Sequence, residues 1–183
     1  HTPFTKVDTV FKSYERSIAQ IGTEKLFEDL TLYPKKYYSE EELEGKLLID
    51  FANDVSTFLD FDSLNLFLAN SEYIFSHQYS NLVMYVNSTL TEIQDDYIYV
   101  NVTHTNSSGE DIILLQEPVL TSSDSIEINM GQILRRYQNG SIGTYNGLKL
   151  MIDGNRYNYS KLSIQYNPEQ IDYNPRLDLM YTK

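Results

Sequence analysis

The feature that most constrains this chain is a succession of short apolar runs with a period of two residues, parted by turn-forming pairs. The last run is the cleanest: Leu177, Leu179 and Tyr181 fall on one side, and Arg176, Asp178 and Met180 on the other. Successive side chains of an extended strand point to opposite faces, so this alternation predicts a strand with one face in a core. Between residues 126 and 181 a short alternating strand, a helical turn or two and three more runs follow one another. Asn139-Gly140 and Asn146-Gly147 punctuate them, and such pairs supply the positive φ angles of tight turns. Upstream, residues 46–52, 63–69, 79–87, 96–104 and 111–120 read as further strands, the last two parted by Asn106-Ser107-Ser108-Gly109. Strands at short intervals separated by turn chemistry predict an all-β antiparallel sandwich, with one short helix near residues 130–137. With 183 residues, no internal repeat and no linker-like stretch, the chain predicts a single domain spanning 1–183.

The first quarter is less one-sided. Val7, Val10, Phe11, Tyr14, Ile18 and Ile21 fall near helical spacing, with Gly22 as a stop, whereas Asp8-Thr9-Val10-Phe11 favours a strand. Leu26, Phe27, Leu30, Leu32 and Tyr33 form the next apolar run, and Pro34 confines any strand there to an edge or a stop. Residues 39–45, SEEELEG, read as an acidic, solvated connection. Glu40, Glu41, Glu42 and Glu44 lack the alternate-position register and turn glycine of a calcium loop.

Charge and composition narrow the partners. A formal charge of −12 argues against nucleic acid, which needs a basic stripe to displace counterions, and the doublets Lys35-Lys36 and Arg135-Arg136 do not extend into one. The same charge opposes anionic membrane surfaces, and no run approaches the roughly 18 apolar residues of a membrane-spanning helix. The absence of cysteine removes disulfides, thiolate chemistry and cysteine metal sites, which favours a bacterial or phage origin over a small secreted animal module. The sequons at Asn87, Asn101, Asn106, Asn139 and Asn158 read as chance matches in an asparagine-rich chain. The chain opens on His1 rather than methionine, which is expected of a processed or trimmed start and leaves targeting unread. Sixteen tyrosines without a tryptophan suit half-buried strand surfaces, and equally a platform that stacks on a glycan or a partner.

No catalytic constellation is legible. His1, His77 and His104 lack paired-ligand spacing, no serine sits in a GxSxG elbow, and NGSIGTYNG reads as hairpin turns rather than a phosphate cradle. The pairs Asp60/Asp62, Asp95/Asp96 and Glu110/Asp111 fall at strand edges, where sequence neighbours do not form the opposed carboxyls of a glycosidase. The residues predict no enzyme, no metal and no cofactor.

Several short motifs together resemble a family of jelly-roll modules, the DNRLRE-type domains, which are related to carbohydrate-binding modules and growth-factor propeptides. The opening strand and loop resemble Asp8-Thr9-Val10-Phe11 and Ile21-Gly22-Thr23, and two inner strands resemble Leu47-Leu48-Ile49-Asp50-Phe51 and Asn81-Leu82-Val83-Met84-Tyr85-Val86. The closing half is similar at Tyr137-Gln138-Asn139-Gly140, Asn146-Gly147-Leu148-Lys149-Leu150 and Pro175-Arg176-Leu177-Asp178-Leu179-Met180-Tyr181. Tyr137 stands where that family has tryptophan, and the asparagine of its opening loop has no counterpart here. The resemblance implies a jelly-roll-like sandwich and turns the reading of residues 7–20 from helix to strand. A second likeness, to structural proteins of tailed phages, implies a non-catalytic attachment or assembly module of a virion (neck, tail, baseplate or fibre), in contact with other virion or surface proteins. The alternative is a carbohydrate-binding module of a secreted or cell-surface bacterial protein. For that alternative the expected contacts are the loop tyrosines Tyr37, Tyr38 and Tyr145.

Overall fold

A computed structural model describes residues 27–34, 36–39, 42–43, 46–50, 55–76, 78–88, 91–93, 96–120, 122–153, 160–167 and 170–182. The strand expected at Asp8–Phe11 lies outside the described residues. What is described is an antiparallel β-sandwich. One sheet has the order β1 (Phe27–Leu32), β13 (Arg176–Thr182), β7 (Asn81–Tyr85), β10 (Ser125–Asn129), with the two-residue β6 (Ile74–Phe75) also on β13. The other runs β2 (Lys36–Ser39), β5 (Thr57–Asp60), β11 (Leu148–Asp153), β8 (Tyr97–Thr105), β9 (Asp111–Leu120). A smaller sheet, β12 (Lys161–Gln165), β4 (Lys46–Asp50), β3 (Glu42–Leu43), is tied on through the Val86–Ile164 bridge.

The core is where the alternating runs turn their apolar faces. Leu82, Met84, Ile128, Leu177 and Leu179 come from the first sheet, and Leu59, Val100, Val102, Leu148 and Leu150 from the second. All ten are buried in one cluster, as the period-two pattern requires. Tyr181 closes the end of this stripe, its hydroxyl donating to Glu28 Oε2 at 2.8 Å. Burial, reinforced by that carboxylate, pushes its phenol up to about 12. Pro34 follows β1, which holds the edge of its sheet, as a strand next to a proline should.

Three expectations are corrected. Residues 63–69, read as a strand, contain the helix α1 (Leu64–Leu68). Leu64 is buried and Phe67 and Leu68 are half-buried, an i, i+3, i+4 pattern, while Leu66 is 76% exposed. The fold therefore has two short helices rather than one. The second, α2 (Gly131–Gln138), stands where it was expected and buries Ile133, Leu134 and Tyr137. Asn129 Oδ1 accepts the Gly131 N–H at 3.1 Å at its start, and Arg135 and Arg136 face the negative end of its dipole. The third correction is small: Glu42–Leu43, in the acidic connection, pairs with β4 as a two-residue strand.

β13 is bonded to β1 along six residue pairs on one side and to β7 on the other. Leu179→Ala removes a side chain that is 2% exposed and is expected to cost about 2–5 kcal/mol of unfolding free energy, read by urea denaturation. A loss below about 1 kcal/mol would show that this strand is peripheral to the core.

Candidate functional site

The hairpin of β8 and β9 carries the most distinctive surface. Ile98, Val100, Val102 and His104 of β8 face the core, which turns Tyr97, Tyr99, Asn101 and Thr103 to the opposite face, where the two tyrosines are exposed and Asn101 and Thr103 are buried. Tyr97 and Tyr99 are 46% and 38% exposed, and their rings meet edge to face at 5.3 Å. The neighbouring Tyr97 side chain holds the Tyr99 phenol above its ordinary value. Across the ladder, Leu120 pairs with Tyr97, Pro118 with Tyr99 and Gln116 with Asn101. On the other side Asp153 of β11 pairs with Tyr99. Gln116 Nε2 donates to Asp153 Oδ2 at 2.6 Å and to Asn101 Oδ1 at 3.1 Å, so one amide joins three adjacent strands. Further along, Lys149 Nζ meets Asp111 Oδ2 at 2.8 Å and Thr105 donates to the same carboxylate at 2.7 Å. Those bonds hold the Asp111 carboxyl below its ordinary range.

A second feature is a cleft of about 450 Å³ beside the two helices, lined among others by Asn65, Leu68, Tyr137, Gln138, Thr144 and Tyr145. Gln138 Nε2 bonds to the carbonyls of Asn70 and Tyr73, which ties α2 to the segment after α1. Behind the cleft three rings stack edge to face: His104 on Tyr137 at 5.4 Å, and Tyr137 on Tyr145 at 5.5 Å. Tyr145 is satisfied, its hydroxyl oxygen accepting the Phe61 N–H at 2.8 Å. The Tyr137 hydroxyl and His104 Nδ1 are buried with no hydrogen-bond partner among the described residues. Burial raises both phenols and lowers the His104 imidazole, while the Asn146 side chain pulls the imidazole the other way.

Of the tyrosines expected to bind, Tyr145 is buried. Tyr145 does lie in a loop, between α2 and β11, yet it is 4% exposed because its hydroxyl is needed by the buried Phe61 amide. Its ring offers no free face to a sugar. Tyr37 and Tyr38, expected in a loop, belong to β2, where they pair with Leu59 and Phe58. An edge strand beside β5 satisfies backbone groups that a loop would leave to solvent. Of the carboxylate pairs, Glu110 accepts from Asn106 Nδ2 at 3.0 Å within the turn, and Asp111 is held by Lys149. Among the described residues no group of three or more His, Asp or Glu side chains is placed to hold a metal ion. Tyr97, Tyr99, Gln116 and Asp153 were not singled out from the sequence, although the alternation of β8 already places both tyrosines on one face.

The chain matches no protein-family model, and no curated protein matches it. The resemblance to jelly-roll modules extends as far as two antiparallel sheets packed as a sandwich.

The aromatic stack makes two predictions. Tyr145→Phe strands the Phe61 N–H and is expected to cost about 1–3 kcal/mol, whereas Tyr137→Phe removes an unpartnered hydroxyl and is expected to be neutral or stabilising. Chemical denaturation of both variants checks the order, and a larger loss for Tyr137→Phe contradicts it. The second concerns pH. With the folded imidazole of His104 depressed, the unfolded chain takes up a proton first, near 6.5, and stability falls as pH drops below that value. The Asp111 contribution is lost only at lower pH, as its depressed carboxyl is protonated, so the two windows separate. Denaturation midpoints between about pH 7.5 and about pH 5.5 should slope downward in the wild type and flatten in His104→Leu.

Proposed function

We propose that this chain is a non-catalytic attachment or assembly module carried by a larger assembly, a tailed-phage virion being the setting that its sequence favours. The observation that carries the reading is the crowding of exposed apolar side chains on one hairpin. Tyr97, Tyr99, Ile112, Ile113 and Leu120 are half of the large exposed hydrophobics among the described residues, and all five lie on β8 and β9. Tyr97, Tyr99 and Leu120 lie together at one end of the hairpin, and exposed apolar residues gathered on a rigid element mark a contact surface. The sandwich behind it is well packed, so the surface is held ready before any partner arrives. A second reading, a carbohydrate-binding module of a secreted or cell-surface bacterial protein, draws on the exposed ring pair Tyr97 and Tyr99 in particular.

The test is co-purification. The chain is expected in multiple copies in purified particles of its source, held by interfaces of at least about 1,000 Å². The double variant Ile113→Asp/Leu120→Asp should stay folded, because both side chains are more than half exposed, and should leave that fraction. A wild-type chain found only as a free monomer would sink the reading.

A further inference from the structure

The geometry points to a saccharide site on the outer face of the second sheet, in which Tyr97 and Tyr99 supply ring surface and Gln116 with Asp153 fixes the hydroxyls of a neutral, hydroxyl-rich ligand. This rests on the attachment reading and gives the attachment target a chemistry.

A pyranose ring has a face of C–H bonds and a rim of hydroxyls, so it needs an exposed aromatic ring beside fixed hydrogen-bonding groups. Both are present on neighbouring strands. Tyr97 and Tyr99 sit two residues apart on β8 with interplanar angle 81°, which makes a corner rather than a flat patch. Both residues stay partly open to solvent, at 46% and 38% exposure. Pro118 and Leu120 extend the apolar floor across the ladder. Asp153 lies beside Tyr99 on β11, and Gln116 lies one pair further along from Pro118. Because the Gln116 amide nitrogen is clamped between Asn101 Oδ1 and Asp153 Oδ2, its carbonyl oxygen is oriented before a ligand arrives. The second Asp153 oxygen, Oδ1, has no bond among the described residues and is an acceptor for sugar hydroxyls. Pre-ordered groups of this kind lower the entropic cost of binding.

Charge selects the ligand class. The recognising groups are a carboxylate and amides, Lys149 on the same face is neutralised by Asp111, and the chain carries a formal charge of −12. Carboxylated, sulfated or phosphorylated glycans would meet an uncompensated anion, whereas hydroxyl donors meet an acceptor.

The experiment is an array of immobilised neutral and anionic oligosaccharides probed with the full chain, followed by calorimetric titration with the strongest neutral hit. The expected result is a neutral hit whose affinity falls at least about tenfold in Tyr97→Ala, Tyr99→Ala and Gln116→Ala, the two tyrosine variants with unchanged melting temperature. The pair Tyr97→Phe/Tyr99→Phe, which keeps both rings, should retain more binding than the alanine pair. A blank array, a hit indifferent to these substitutions, or binding confined to anionic glycans would overturn the site. If the array is blank while Ile113→Asp/Leu120→Asp still releases the chain from its particle, the saccharide proposal falls and the attachment reading stands. If a neutral glycan binds as expected to a chain that enters no particle, the site stands and the assembly reading falls.

Discussion

The structure depends on the pairing of β13 between β1 and β7. That strand puts Leu177 and Leu179 into the middle of the core, and bonds to partners nearly a hundred and more residues away in the chain. Tyr181 reaches Glu28 across 153 positions of sequence. Contacts of such separation return their free energy only after a long loop has closed, so the first sheet completes late and cooperatively. Until β13 is in place, β1 lacks its partner in the sheet, and β7 is bonded on one side only, to β10. The hydrophobic stripe and the hydrogen-bond ladder thus arrive together, which is why a single leucine there matters to the whole sandwich.

Behind the helices the core is not purely apolar. His104, Tyr137 and Tyr145 stack in a row; the Tyr145 hydroxyl is matched by the Phe61 amide, whereas the Tyr137 hydroxyl and His104 Nδ1 have no partner among the described residues. An interior with one satisfied and two orphaned polar groups is tuned by proton and hydroxyl chemistry rather than by volume alone. The cost falls at the end of the sandwich where α1 and α2 close over it, away from the outer face of β8 and β9. The two features therefore lie at separate places in the sandwich.

Much of the fold was legible because burial on one face of a strand writes itself as alternation. Runs such as Tyr97–Thr105 and Arg176–Thr182 needed nothing but their own period to be read, and α2 announced itself by Ile133, Leu134 and Tyr137. Residues 63–69 were misread because Leu64, Leu66 and Leu68 alternate as well as a strand does, and only the burial of Phe67 and exposure of Leu66 reveal the helix. Tyr145 was misread for another reason. A loop position suggests exposure, but the need of the Phe61 N–H for an acceptor arises from a segment 84 residues away. The outer-face constellation was half legible. Tyr97 and Tyr99 share a strand, whereas the approach of Gln116 and Asp153 depends on register across three strands, including an irregularity between Val102 and Thr103 that no local pattern encodes.

That irregularity also governs how crowded copies of the chain would behave. β9 is a ten-residue edge strand with an apolar sequence, the kind of element that recruits other strands into open-ended stacks. Opposite the Val102/Thr103 step its ladder slips by one residue, which sharpens the local twist, and Pro118 has no amide hydrogen to offer a newcomer. The free edge of the hairpin is thereby made unreceptive to another strand. Crowded copies are in this way kept from fusing edge to edge into a fibre.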